Sequence, residues 1–109
     1  MAAIKALKPV TPDTNVEVSG GLNRPPMPDN DLMKVTFEKA RGIAARIGME
    51  IKAGGSGGGS DGNFVSPLGI PLLDGMGAYG EGYHSEREYI FTRSLPERAA
   101  LVAALISNW

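Results

Sequence analysis

His84, the single histidine of the chain, lies in Gly80-Glu81-Gly82-Tyr83-His84-Ser85-Glu86, where flanking glycines let the backbone bring an imidazole close to another group. A zinc site wants three or four ligands, and no second ligand stands at a ligand-like spacing from it. Taken by itself, such a histidine is a surface or hydrogen-bonded residue. The carboxylates Asp61, Asp74, Glu81 and Glu86 follow no i, i+4 helical arrangement and read as solvated loop charges. Arg24, held between Asn23 and Pro25, offers a planar fork suited to a carboxylate on a backbone stiffened by proline; a surface arginine at a domain edge is the competing reading. The run Gly54 to Gly59, interrupted by Ser56, is on composition a flexible linker. Its flanks favour a built loop, because Ser60 or Asp61 can cap a short helix and turn backbone N–H groups toward an anion. A nucleotide loop is excluded, since Ser60-Asp61 stands where Lys and Ser or Thr would have to follow the last glycine.

The elements that must position these residues alternate between helix and strand. Ala2 to Leu7 reads as the last turns of a helix closed by Pro9 and Pro12, and Asn15 to Ser19 alternates like a short half-buried strand. Gly21 to Pro28 is a stiff connector. Asp29 or Asn30 caps a helix running to about Ile47, with Leu32, Val35, Ala40, Ile43, Ala44 and Ile47 near one face and Gly48 ending it. Met49 to Ala53, Ile70 to Leu73 and Tyr89 to Thr92 are strand candidates. Ser94-Leu95-Pro96-Glu97 is a capping-box sequence that predicts a final helix from about Leu95 to Ile106, with Leu95, Ala99, Leu101, Val102, Leu105 and Ile106 as its apolar residues. The fold class is therefore α/β, with an incomplete mixed sheet and flanking helices.

Composition narrows the functional classes. Eleven Lys and Arg against twelve Asp and Glu give a net charge of −1, so nothing in the bulk charge draws the chain to nucleic acid or to an anionic membrane. The chain has no cysteine, which removes disulfides and thiolate ligands and leaves His, Asp and Glu for any metal. The first residues are far short of a signal-peptide core or of the roughly 20 apolar residues of a membrane span. A cytoplasmic location is expected.

Asn23-Arg24-Pro25-Pro26-Met27, Gly57-Gly58-Gly59-Ser60-Asp61-Gly62-Asn63-Phe64 and Gly82-Tyr83-His84-Ser85 with Glu88-Tyr89 resemble, in order and spacing, the closing third of the zinc amidohydrolase family. That family contains carboxypeptidase G, acetylornithine deacetylase and succinyl-diaminopimelate desuccinylase. The resemblance covers nearly the whole chain. It implies a two-zinc catalytic domain interrupted by a smaller lid domain: residues 1 to 27 would end the lid, and residues 28 to 109 would form the C-terminal part of a zinc-exopeptidase-like catalytic domain. It implies that His84 completes the coordination of one zinc, that Gly58, Gly59 and Ser60 lie against the substrate's carboxylate end, and that Arg24 is a lid-hinge arginine near the substrate.

The same resemblance places the remaining zinc ligands, the bridging aspartate, the glutamate base and a lid histidine upstream of this chain, so no catalytic residue is expected within it. Without metal to acidify water and a base to take its proton, the attacking hydroxide has no source. The expected parent activity is hydrolysis of an amide bond in a small peptide or N-acyl amino acid by zinc-activated water, with this chain alone inactive. The alternative is a non-catalytic anion-binding or assembly module built on the glycine-rich loop. Under either reading an incomplete sheet exposes edges and apolar faces, and a homo-oligomer is expected.

Overall fold

The sequence of helix formers between Asp31 and Arg46 folds as expected in the computed structural model, which describes all residues from Met1 to Trp109. The helices are α1 (Ala2–Lys5), α2 (Asp31–Arg46), α3 (Gly62–Val65, continued by a 3-10 turn over Ser66–Leu68) and α4 (Ser94–Asn108). The strands are β1 (Gly80–Glu81) and β2 (Tyr89–Ile90). Asn30 caps α2, its side-chain oxygen accepting from the Met33 N–H at 3.0 Å, and Gly48 at φ +73 follows the helix in the left-handed conformation that only glycine takes without cost.

The core lies where α2 crosses α4: Ala40, Ile43 and Ala44 pack on Leu101 and Leu105, with Met49, Ile51, Leu73 and Met76 laid against its margin. The face assignments change on both helices, and Ile47 at the end of α2 is exposed. Val35 is 68% exposed and Thr36 points inward instead, its hydroxyl donating to the Leu32 carbonyl at 2.7 Å, which lets a polar side chain sit at the interface. On α4 Leu95, Ala99 and Ile106 are exposed, and the inward stripe is Ser94, Arg98, Leu101 and Leu105.

Arg98 is 8% exposed and has no carboxylate partner. Its guanidinium donates to the carbonyl oxygens of Gly77 (2.9 Å) and Gly75 and to the Tyr79 hydroxyl (3.2 Å), and it sits 4.9 Å from the Tyr79 ring centroid. Carbonyl dipoles and an aromatic face thus replace its hydration, and the segment Gly75 to Tyr79 is stitched to α4. Ser94 does not cap α4. It begins the helix after a tight turn, donating to the Phe91 carbonyl at 2.7 Å and accepting from the Tyr79 N–H at 3.0 Å, so the expected capping box is not formed.

The sheet is smaller than the sequence predicts. β1 and β2 pair antiparallel, Gly80 opposite Ile90 and Glu81 opposite Tyr89, and form a sheet of two strands. The strands expected at 15–19, 49–53 and 70–73 do not form. No main-chain to main-chain hydrogen bond is made by any residue in 8–29, 50–59 or 70–78, because a strand exists only through a neighbour and none is present for these segments. What remains is a mixed helix and strand structure compatible with part of an α/β fold. Its radius of gyration is 19.5 Å, against about 13 Å for a compact chain of this length, and it measures 64 × 36 × 16 Å. No helix is long and apolar enough to cross a membrane.

Candidate functional site

Arg24 and the glycine run, 30 or more positions apart in sequence, meet in space. Together with Pro25, Pro26, Met27 and Asn63, the residues Gly55 to Gly59 and Arg24 line a cleft of about 520 Å³. The approach is close: a Cβ built on Gly59 would come within 2.9 Å of Arg24 Cδ and 3.2 Å of its Nη1, so a side chain at 59 would displace the arginine from its present position. The Arg24 guanidinium lies 4.8 Å from the Phe64 ring centroid and 3.9 Å from Asp61 Oδ1. The first contact is a cation–π attraction; the second is beyond hydrogen-bonding distance and only weakly attractive at this exposure. No protein acceptor takes a hydrogen from the Arg24 fork, whose side chain is 36% exposed.

The loop donors divide into engaged and open. Gly58 N–H donates to Ser56 Oγ at 3.1 Å, and Ser60 N–H to Asn63 Oδ1 at 2.8 Å. The Ser60 hydroxyl accepts from Gly62 N–H at 3.1 Å. The N–H groups of Gly55, Ser56, Gly57 and Gly59 have no partner in the protein, and of these residues Gly59 is the one that fits closely against the Arg24 side chain. Of the residues expected to contact substrate, Arg24, Gly58 and Gly59 share the cleft, whereas Ser60 is not among its lining residues and has both its amide and its hydroxyl turned to loop bonding. An anion entering here meets one guanidinium and a loop with several unpaired amides, donors of the kind that a carboxylate takes.

Asn63 is the residue that sequence reasoning passed over. Its amide nitrogen donates to the Pro25 carbonyl at 2.8 Å while its oxygen takes the Ser60 N–H, so one side chain ties together segments 38 positions apart. The dipeptide Gly62-Asn63 carries no spacing that would betray so distant a partner.

His84 stands apart from this cleft. It is exposed, at the tip of the β1–β2 hairpin, with φ +62, a left-handed conformation uncommon outside glycine. The tip is held by its own bonds: His84 N–H donates to Glu88 Oε2 (3.1 Å), Ser85 Oγ to the Gly82 carbonyl (2.6 Å), and Ser85 Oγ accepts from Arg87 N–H (3.2 Å). No three His, Asp or Glu side chains come together anywhere in the chain, so its own residues do not make a zinc site, and a metal held through His84 requires ligands from other polypeptide.

The chain is similar to carboxypeptidase G2 of Pseudomonas sp. (strain RS-16), at 28% identity over 102 residues, which are 89% of this chain and 24% of that protein. It therefore spans about a quarter of the length of the curated relative it matches. No family model matches the chain, and no solved structure matches it. The match bears on the carboxypeptidase member of the resemblance drawn from the motifs, and not on the deacetylase or desuccinylase. It supports a distant relationship to a peptidase family, and with it an origin among the hydrolases.

Proposed function

We propose that this chain is the carboxylate-recognising part of a zinc-dependent hydrolase that cleaves an amide bond next to a free carboxylate, in a small peptide or N-acyl amino acid. Residues 1–27 belong to the end of a lid domain in this reading, and residues 28–109 to the C-terminal part of the catalytic domain. The observation that carries it is the Arg24 fork, seated against Gly59 with its donors unspent, in a cleft walled by the glycine loop. Arg24 and Gly59 N–H bind and orient the carboxylate; Gly58 and Ser60 keep the loop in shape through their bonds to Ser56 and Asn63. His84 contributes one ligand to a metal whose other ligands, together with the base, come from polypeptide outside this chain. Zinc would supply acidified water there, and the chain alone turns nothing over.

The test is binding rather than turnover. N-acetyl-L-glutamate titrated into the chain should shift the amide resonances of Gly58, Gly59 and Ser60, and Arg24→Gln should weaken binding by tenfold or more, the loss of a charge-assisted fork. Binding that survives Arg24→Gln unchanged would remove the reading. Uptake of inorganic phosphate in preference to the carboxylate would favour the non-catalytic anion-binding module.

A further inference from the structure

The two walls of the cleft have little of their own to hold them at a fixed separation. The wall that carries Arg24 makes no main-chain to main-chain hydrogen bond from residue 8 to residue 29, and the loop wall makes none from residue 50 to residue 59. They nonetheless approach to contact distance. Besides the close fit of Gly59 to Arg24, a Cβ at Gly62 would meet Met27 Cε at 2.8 Å and Leu72 Cδ2 at 3.0 Å. Van der Waals contact at such places limits how near the walls come, but it does not stop them from parting.

The Arg24 side chain adds a weak attraction to Asp61 and a contact with Phe64, and one hydrogen bond ties the backbone of its segment. The Asn63 carboxamide is the one side chain that bonds both walls, through Nδ2–H to the Pro25 carbonyl and Oδ1 to the Ser60 N–H, each at 2.8 Å. A carboxamide is suited to this because it presents a donor and an acceptor on one rigid plane; a carboxylate or a hydroxyl cannot serve both partners in that geometry. Pro25 and Pro26 stiffen the chain immediately after Arg24, so a tie at the Pro25 carbonyl is transmitted to the arginine backbone with little slack.

We propose that Asn63 is a positioning residue: it sets the gap between the Arg24 guanidinium and the glycine loop, and thereby the affinity of the cleft for a carboxylate. The proposal rests on the carboxylate reading of the cleft for its functional half, while its structural half stands without any ligand. Preorganising two donors spares the ligand the cost of ordering them on arrival.

The experiment has two readouts on the full chain. Without ligand, Asn63→Ala should speed amide exchange at Ser60 and raise the backbone mobility of Gly55 to Gly59 in 15N relaxation, with the exchange protection of α2 and α4 unchanged. With N-acetyl-L-glutamate, Asn63→Ala should lower affinity about tenfold in the Arg24 background, the scale of losing one or two hydrogen bonds, and have no further effect in the Arg24→Gln background. Asn63→Asp, which keeps an acceptor for Ser60 N–H and loses the donor to Pro25, should preserve protection at Ser60 while the loop still loosens from the Arg24 wall. A loop that stays as ordered in Asn63→Ala as in the native chain overturns the proposal, as do additive affinity losses in the double variant. Loosening of the loop in a chain that binds no carboxylate, or binds it regardless of Arg24, would instead sustain the tie and sink the carboxylate reading.

Discussion

At the hairpin, the Tyr89 hydroxyl donates to Glu81 Oε2 at 2.8 Å, and this hydrogen bond, with some desolvation and the carboxylate's negative charge, raises the phenol pKa above its ordinary value of 10.0. A raised acid pKa means that the folded hairpin holds the proton more tightly than the unfolded chain. The contribution to stability is fully present below the ordinary tyrosine pKa and is lost as pH climbs through the folded one. Ultraviolet titration should accordingly find one phenol ionising later than a free tyrosine, and Glu81→Gln should bring it back toward 10. Among the other residues, Arg24 and the glycine loop were legible because their chemistry is local: a fork beside proline, and a run that nothing regular can absorb. Asn63 was not, because its meaning lies in the Pro25 carbonyl 38 positions away. His84 could be named as a ligand only through resemblance, and the hairpin leaves it exposed with no companion.

Helices were read well and strands poorly, for a physical reason. The α2 and α4 helices satisfy their own backbones, so periodicity and caps suffice to find them, whereas the segments at 49–53 and 70–73 have the composition of strands and no neighbours to pair with. The cap of α2 is the place to test the local rule. Asn30→Ala removes the acceptor for Met33 N–H and should cost about 1 kcal/mol by urea denaturation followed by circular dichroism, while Asn30→Ser should recover most of it. The inward face of α4 was misjudged because Arg98, a charged residue by type, is drawn in by the carbonyls of Gly75 and Gly77, and Ser94 by Tyr79 and Phe91. Polar side chains that bond distant main chain are invisible to a hydrophobic stripe.

Across the whole molecule, nine of 109 residues are buried, and Leu22, Leu68, Ile106 and Trp109 are among many large apolar side chains left in water. A core of five residues stabilises little against the entropy of ordering the rest. The chain also gathers no three side chains able to hold a metal ion. After equilibration with zinc and gel filtration, the chain should retain well under one ion by atomic absorption, and His84→Ala should not change that figure; a full equivalent of tightly held zinc would contradict the reading of His84 as a lone ligand.

A body 16 Å through its shortest dimension is about one helix and its side chains deep. Apart from the buried Arg98, the charges of such a slab lie near its surface, so the Arg24 guanidinium, with a side chain 36% exposed, is answered by bulk solvent and mobile ions within a few ångströms. Hydrolytic chemistry driven by fixed dipoles needs a chamber that shuts water out except for the molecule that reacts. The Arg24 cleft, open to solvent, is not such a chamber by itself.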